Sequence, residues 1–378
     1  MKRRYWLLAV ALGSGLFAMP LIASWRAGTL SSDDCPAGLA LQRGVLGADK
    51  TPSWAGCAHT LPLAADFPSI LLGISCGATI PVFAHFLWSL MTLDARLRHV
   101  GLLTTGAKEW MPRLVTRSWK RFWVPVVVVV VLAHIPLGLV FQETLSRGYL
   151  WGEVIAADGG RLAWWAQPAP GILGQTLASM SWLVVGTVGA GVATAHGALL
   201  LLASRSFHQQ ESKVMVRALP SHEDGACGWT PMVPLLRSML IGSINFAIAI
   251  LAVSYMLLGS NASALNVSIV LAVGAFGVTA NYVMARRAFH FVRGTHARAI
   301  AAAKREADEQ LSRLSTARFG RARSQFGRTM ARRLELERAP SFPIQGLWQL
   351  LPAIAVALVA NVGLIASLVL RLIAALPG

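Results

Sequence analysis

The stretch from Arg113 to Gln142, RLVTRSWKRFWVPVVVVVVLAHIPLGLVFQ, decides how this chain folds. Its first third carries Arg113, Arg117, Lys120 and Arg121 among aromatic residues, whereas Val124 to Gln142 contains no Asp, Glu, Lys or Arg. A run of about twenty apolar residues is what an α-helix needs to cross roughly 30 Å of hydrocarbon. A bank of cations at one end marks the side where that end stays, because Lys and Arg are retained in the cytoplasm.

The same pattern recurs along the chain. Apolar runs fall near 5–25, 68–92, 123–142, 172–203, 234–258, 264–286 and 346–374. The composition is 55% hydrophobic and only 13% charged, where a soluble domain has about a quarter of its residues charged. Backbone groups in lipid must pair within their own segment, and these runs are too long and uniform for barrel strands. The expected fold class is therefore all-α, a polytopic membrane helical bundle of about seven transmembrane helices. Three units are expected: a transmembrane bundle over 1–285, a basic segment over 286–345 and a last transmembrane helix over 346–378. Lys2, Arg3 and Arg4 precede the first run, but no small-x-small site closes it and Trp25 and Arg26 follow directly, so it reads as an uncleaved anchor rather than a signal peptide.

Charge placement sets the orientation. The net charge is +17, and the cations gather before the first run, between runs two and three, four and five, and six and seven. The other links carry Asp33, Asp34, Asp66, Glu143, Glu153 and Asp158. The expectation is a bacterial inner (plasma) membrane protein with a cytoplasmic N-terminus and an extracytoplasmic C-terminus. Cys35 and Cys57 then share the outer loop 27–67, where oxidising conditions allow a disulfide worth about 3 kcal/mol by chain entropy. Trp151, Trp164 and Trp165 in the second outer loop suit an aromatic belt at headgroup level or a stacking surface for a ligand.

The segment 286–345 lacks proline until Pro340 and carries two helical stripes, Ile300, Ala303, Ala307, Leu311, Leu314 and then Ala322, Phe326, Met330, Leu334. Both of its ends belong at one membrane surface, which a single straight helix cannot satisfy. A cytoplasmic helical hairpin with its turn near Gly320 is expected. Arg313, Arg318, Arg321, Arg323, Arg328, Arg332 and Arg333 give it a basic face for anionic lipid or an acidic partner protein. No nucleic acid is expected, since aromatic interleaving and folded nucleic-acid motifs are lacking. The spacing admits a homo-oligomer or a membrane complex as readily as an intramolecular pair.

No Asp or Glu lies well inside any run, which argues against carboxylate-coupled transport, and no catalytic motif is present. Asn245, Asn266, Asn281 and Asn361 recur in the last three runs, as a neutral polar conduit or as interhelical hydrogen bonds. His85 and His196 sit at matched depth with His134 slightly deeper, as ligands for haem b, as a transition-metal site or as packing residues. His222, Asp224 and Cys227 form either a metal loop or a turn capping the fifth run. The stretch His222-Glu223-Asp224-Gly225-Ala226-Cys227-Gly228 resembles the His-Pro-Asp-x-x-Gly-Gly loop of a broad group of bacterial multi-pass membrane proteins, with Glu223 at the proline and Cys227 at the first glycine. The resemblance implies a multi-pass membrane protein and carries no chemistry.

The functional expectation is a non-enzymatic channel-like or transport-associated component with an assembly or gating hairpin. The alternatives are a haem b redox protein and a scaffold or sensor recruiting a cytoplasmic partner. Cysteine labelling checks the topology: a thiol from Arg321→Cys should react from the cytoplasmic face and Cys35, after reduction, from the opposite face. Reaction of both from one side would break the assignment of runs.

Overall fold

The structure, a computed structural model, describes residues 3–31, 60–103, 111–144, 162–165, 177–224, 226–258, 264–315, 320–340 and 343. Cys35, Cys57, Arg318, Asn361 and the run 346–374 lie outside the described residues. The elements in chain order are α1 Arg3–Arg26, β1 Thr60–Leu61, α2 Phe67–Met91, α3 Leu93–His99, α4 Met111–Ser118, α5 Val124–Thr144, β2 Leu162–Ala163, α6 Leu177–Gln210, α7 Val233–Leu258, α8 Ala264–Ser315 and α9 Gly320–Arg338. Among the described residues four stretches are long and apolar enough to cross a membrane: Arg4–Arg26, Ser69–Met91, Leu177–Gln210 and Thr230–Val253.

Local chemistry explains where α2 begins. The Asp66 carboxylate accepts from the Ser69 amide at 3.2 Å and the Ser69 hydroxyl at 2.6 Å, which satisfies one orphan donor of the first turn. The Trp164 indole donates to the same carboxylate at 3.0 Å from the second long loop. Burial pushes the Asp66 carboxyl up, and these hydrogen bonds pull it the other way. A two-residue parallel ladder, Thr60 with Leu162 and Leu61 with Ala163, ties the same two loops together. The belt expectation therefore fails for Trp164 and Trp165, both fully buried in this knot. An indole with a buried carboxylate to bond is held inside rather than at the headgroups.

Helix α2 packs against α1, α6 and α7, while α6 also takes α1, α5 and α8. Small residues make these approaches possible. A Cβ on Gly77 would lie 2.6 Å from the carbonyl oxygen of Gly13, and a Cβ on Gly13 would collide with the carbonyl oxygen of Gly77, so the backbones of α1 and α2 touch. On another face of α2 the Ser75 hydroxyl donates to the Asn245 carbonyl at 2.9 Å, and the Asn245 amide donates to the Ser75 carbonyl at 3.1 Å and the Thr79 hydroxyl at 2.8 Å. Without a hydrophobic drive between helices in lipid, close packing and such bonds hold them together. One end of the bundle is closed by a core of Phe86, Leu90, Phe207, Trp229, Met284 and Phe291.

Helix α8 runs unbroken for 52 residues across positions 285–286, where the sequence suggested a boundary between units. Helix α9 returns beside its distal part. Arg333 bonds Asp308 and Glu337, each at 2.7 Å, and the His296 Nε2 donates to the Pro340 carbonyl at 3.1 Å. Burial lowers the pKa of His296, whose hydrogen bond to Pro340 acts the other way. Ala307 and Leu336 are buried between the two helices, but the expected packing stripe of Phe326, Met330 and Leu334 faces outward. The pairing of Arg333 with Asp308 rotates that stripe away from α8.

The α1–α2 contact gives a direct test. Gly77→Leu should force the helices apart and cost about 1–3 kcal/mol, read as a lower apparent Tm in detergent. Gly15→Leu should leave the Tm unchanged, because a Cβ at Gly15 meets nothing within 4 Å.

Candidate functional site

A chamber of about 760 Å³ lies between α2, α6, α7 and α8, with α5 on its flank. Its walls are mainly aliphatic and aromatic. Space exists there because α6 presents Gly186, Ala190, Ala193 and Gly197 at intervals of four, three and four, so small residues fall on one face. Helix α7 contributes Gly242 and Ala249 opposite.

Two of the three histidines that fall within the apolar runs, His134 and His196, reach this chamber. A Cβ on Gly186 would lie 3.1 Å from the Nε2 of His134, and one on Gly242 would lie 2.9 Å from the Cε1 of His196. The glycines thus seat the imidazoles. The His196 ring stacks on Phe86, centroids 5.0 Å apart and planes 22° apart, with Phe83 at 6.0 Å. Its Nε2 is buried and has no hydrogen-bond partner among the described residues. His85 points elsewhere, packing on Trp6 of α1 at 6.0 Å and near Trp88 at 6.2 Å. His85 and His196 therefore lie on different sides of α2 and do not face one another across a common space. His134 sits at the level of Gly186, ten residues or about 15 Å of helix rise from His196. Those two rings stand at separate levels of the chamber.

Two of the four amides of the expected conduit, Asn245 and Asn281, are engaged with their neighbours. Asn245 uses its side-chain donors on Ser75 and Thr79, as above. The Asn281 Nδ2 donates to the Gly277 carbonyl at 2.9 Å, and its Oδ1 accepts from the Ser243 hydroxyl at 3.0 Å. Both residues lie in the chamber wall, joining helices rather than lining a polar path. Asn266 lies on α8, and Asn361 is outside the described residues.

The loop before α7 is built around Asp224. Its carboxylate accepts from the amides of Ala226 at 2.9 Å and Gly228 at 3.0 Å, and from the Thr230 hydroxyl at 2.7 Å, with the His222 Nδ1 at 2.9 Å. Burial alone would raise its pKa, but the hydrogen bonds from Gly228, Thr230, Ala226 and His222 outweigh that and hold it well below the usual carboxylate range. Cys227 and Gly228 follow at φ 51 and 83, the left-handed region a glycine pair suits. The Cys227 thiol is buried and directed at the Pro220 carbonyl, 3.9 Å away, and burial pushes its pKa up. Among the described residues no three of His, Cys, Asp and Glu converge as metal ligands.

Of the basic cluster, Arg333 is paired with Asp308 and Glu337; Arg323, Arg328 and Arg332 on α9 and Arg313 on α8 have solvent-exposed side chains. Arg321 lies in the first turn of α9. Sequence reasoning missed Ser75, Thr79, Trp165 and Phe276 as chamber residues. The signal that could have found the chamber is the Gly/Ala spacing of α6.

The Asp224 turn carries a pH signature. Its folded-state pKa is depressed, so its contribution is present above the ordinary carboxylate value of 3.8 and fades as pH falls below it. Asp224→Ala should lower the apparent Tm at pH 7, by about 1–2 kcal/mol of stability. The difference from the parent protein should narrow progressively as the pH falls below about 3.8, with part of it still present at pH 3.

Comparison with family models, with curated proteins and with solved structures finds no match to this chain.

Proposed function

We propose that this chain is a transport-associated integral membrane protein that holds an apolar, chain-like molecule in the chamber between α2, α6, α7 and α8. The cationic links and the α8–α9 arm lie on the cytoplasmic side of a bacterial inner membrane in this reading, and seven helices cross the bilayer. The observation that carries it is the chamber itself. It is half open to its surroundings, and its walls are overwhelmingly apolar, the kind of concave surface that takes up hydrocarbon.

The lining favours hydrocarbon over water. Water needs two to four polar partners, whereas the Asn245 donors are taken by Ser75 and Thr79 and Asn281 is bonded to Ser243 and Gly277. A channel reading needs those amides free. The lone buried Nε2 of His196 adds one polar contact for a hydroxyl or carbonyl on an otherwise apolar guest.

Native mass spectrometry of the detergent-purified full chain should detect a retained lipid-like mass. Ala193→Trp and Ala249→Phe, which fill the chamber from α6 and α7, should lose it while holding or raising the apparent Tm. If the parent chain retains nothing, and a thiol at position 273 cross-links into the run 346–374, the chamber belongs to the chain's own last segment and this reading fails.

A further inference from the structure

Helices α6 and α8 run in parallel, and two contacts fix their register. The Phe276 ring lies against Gly197, where an added Cβ would come within 2.6 Å of it, and Arg287 meets His208 eleven residues further along both helices. The seam between these contacts is about 16 Å long. Its upper part borders the chamber, which Ala272 and Phe276 line. Its lower part opens into a second pocket of about 370 Å³, lined by His208, Glu211, Tyr282, Arg286, Arg287 and His290.

The chemistry of this pocket is cationic and donor-rich. The Arg287 Nη1 lies 3.1 Å from the Nδ1 of His208. A guanidinium only donates, so Nδ1 accepts, and the ring hydrogen of His208 sits on Nε2 as a further donor. Among the described residues neither Arg286 nor Arg287 is ion-paired with a carboxylate. The one acid in the wall, Glu211, packs towards Gly294, where a Cβ would lie 2.6 Å from its Oε1. Adjacent guanidinium forks with imidazole donors match a group presenting several oxygens, as phosphate does.

From Val283 in the pocket wall, α8 continues upward through Ala280, Phe276 and Ala272 in the chamber wall, at helical spacing, with Phe276 44% exposed. One helix thus joins hydrocarbon contact directly to a pocket lined by two arginines and two histidines. We propose that the lower end of the α6–α8 seam binds the phosphate of an anionic phospholipid, whose acyl chain lies along the seam towards the chamber. This rests on the chamber reading above and names the class of guest. The apolar continuation selects a lipid over a free phosphate, and the adjacent arginines select an anionic over a zwitterionic headgroup.

The test uses the full-length chain, delipidated in detergent, with added dioleoyl-phosphatidylglycerol, dioleoyl-phosphatidylcholine or inorganic phosphate. Bound mass and apparent Tm are read for each. The phosphatidylglycerol affinity should fall at least tenfold in Arg286→Gln/Arg287→Gln, while phosphatidylcholine binding stays unchanged. Arg286→Lys/Arg287→Lys keeps the charge and should lose part of the affinity, which separates binding from misfolding. Arg298→Gln/Arg305→Gln removes two exposed cations outside the pocket and should change nothing.

Equal phosphatidylglycerol affinity in parent and Gln variant would overturn the proposal. An equal loss in the Arg298/Arg305 control would do so too, because general positive charge would then explain binding. A Tm shift from inorganic phosphate as large as that from the lipid would overturn the lipid assignment. Failure of the chamber reading looks different: Ala193→Trp would then leave both lipids bound, while the arginine variants still discriminate between headgroups.

Discussion

How closely α2 can be approached decides everything else in this bundle. Three neighbours reach it, and each does so through a residue that lacks bulk or supplies a hydrogen bond. Gly13 and Gly77 bring two backbones into contact, Gly189 faces the Cys76 thiol, and Ser75 and Asn245 exchange bonds between side chain and main chain. In lipid, hydrophobic burial does not distinguish helix from helix, so such contacts fix which faces meet. The chamber follows from the same arrangement. Helices drawn onto α2 from different sides leave a gap opposite it, which the glycine and alanine face of α6 does not fill.

The two ends of the molecule solve the problem of buried polar groups differently. At one end a carboxylate gathers donors from a helix start and a distant loop: Asp66 takes Ser69 and Trp164. At the other, Asp224 takes the amides of its own turn and so presents α7 correctly to the core around Trp229. Between them the bundle tolerates the unpartnered Nε2 of His196. An unmet buried polar atom costs about 1–3 kcal/mol, which makes that position the natural place for a guest to be recognised.

Helix existence was legible because long runs with charged margins have few alternatives; α1, α2, α6 and α7 coincide closely with runs visible in the chain. The Asp224 turn was legible as a motif, and its left-handed pair at 227 and 228 shows why glycine suits those positions. What could not be read was direction around a helix axis. A uniformly apolar helix has almost no amphipathic signal, so nothing in the composition said that His85 turns to α1 while Phe86 turns to His196. For the same reason the facing of a histidine was not readable, and His134, expected only slightly deeper than His196, stands about 15 Å of helix rise from it. Trp164 and Trp165 misled because the carboxylate that anchors their loop, Asp66, lies almost a hundred residues earlier. The stripe on α9 misled because the ion pairs of Arg333 set the rotation of that helix.

The uninterrupted course of α8 has a mechanical meaning. Its 52 residues make a rod about 78 Å long, with chamber lining near one end and the α9 pairing near the other. A rod without a joint cannot absorb a sideways load locally. A load on the distal arm would therefore travel along one continuous helix to the wall to which Phe276 belongs.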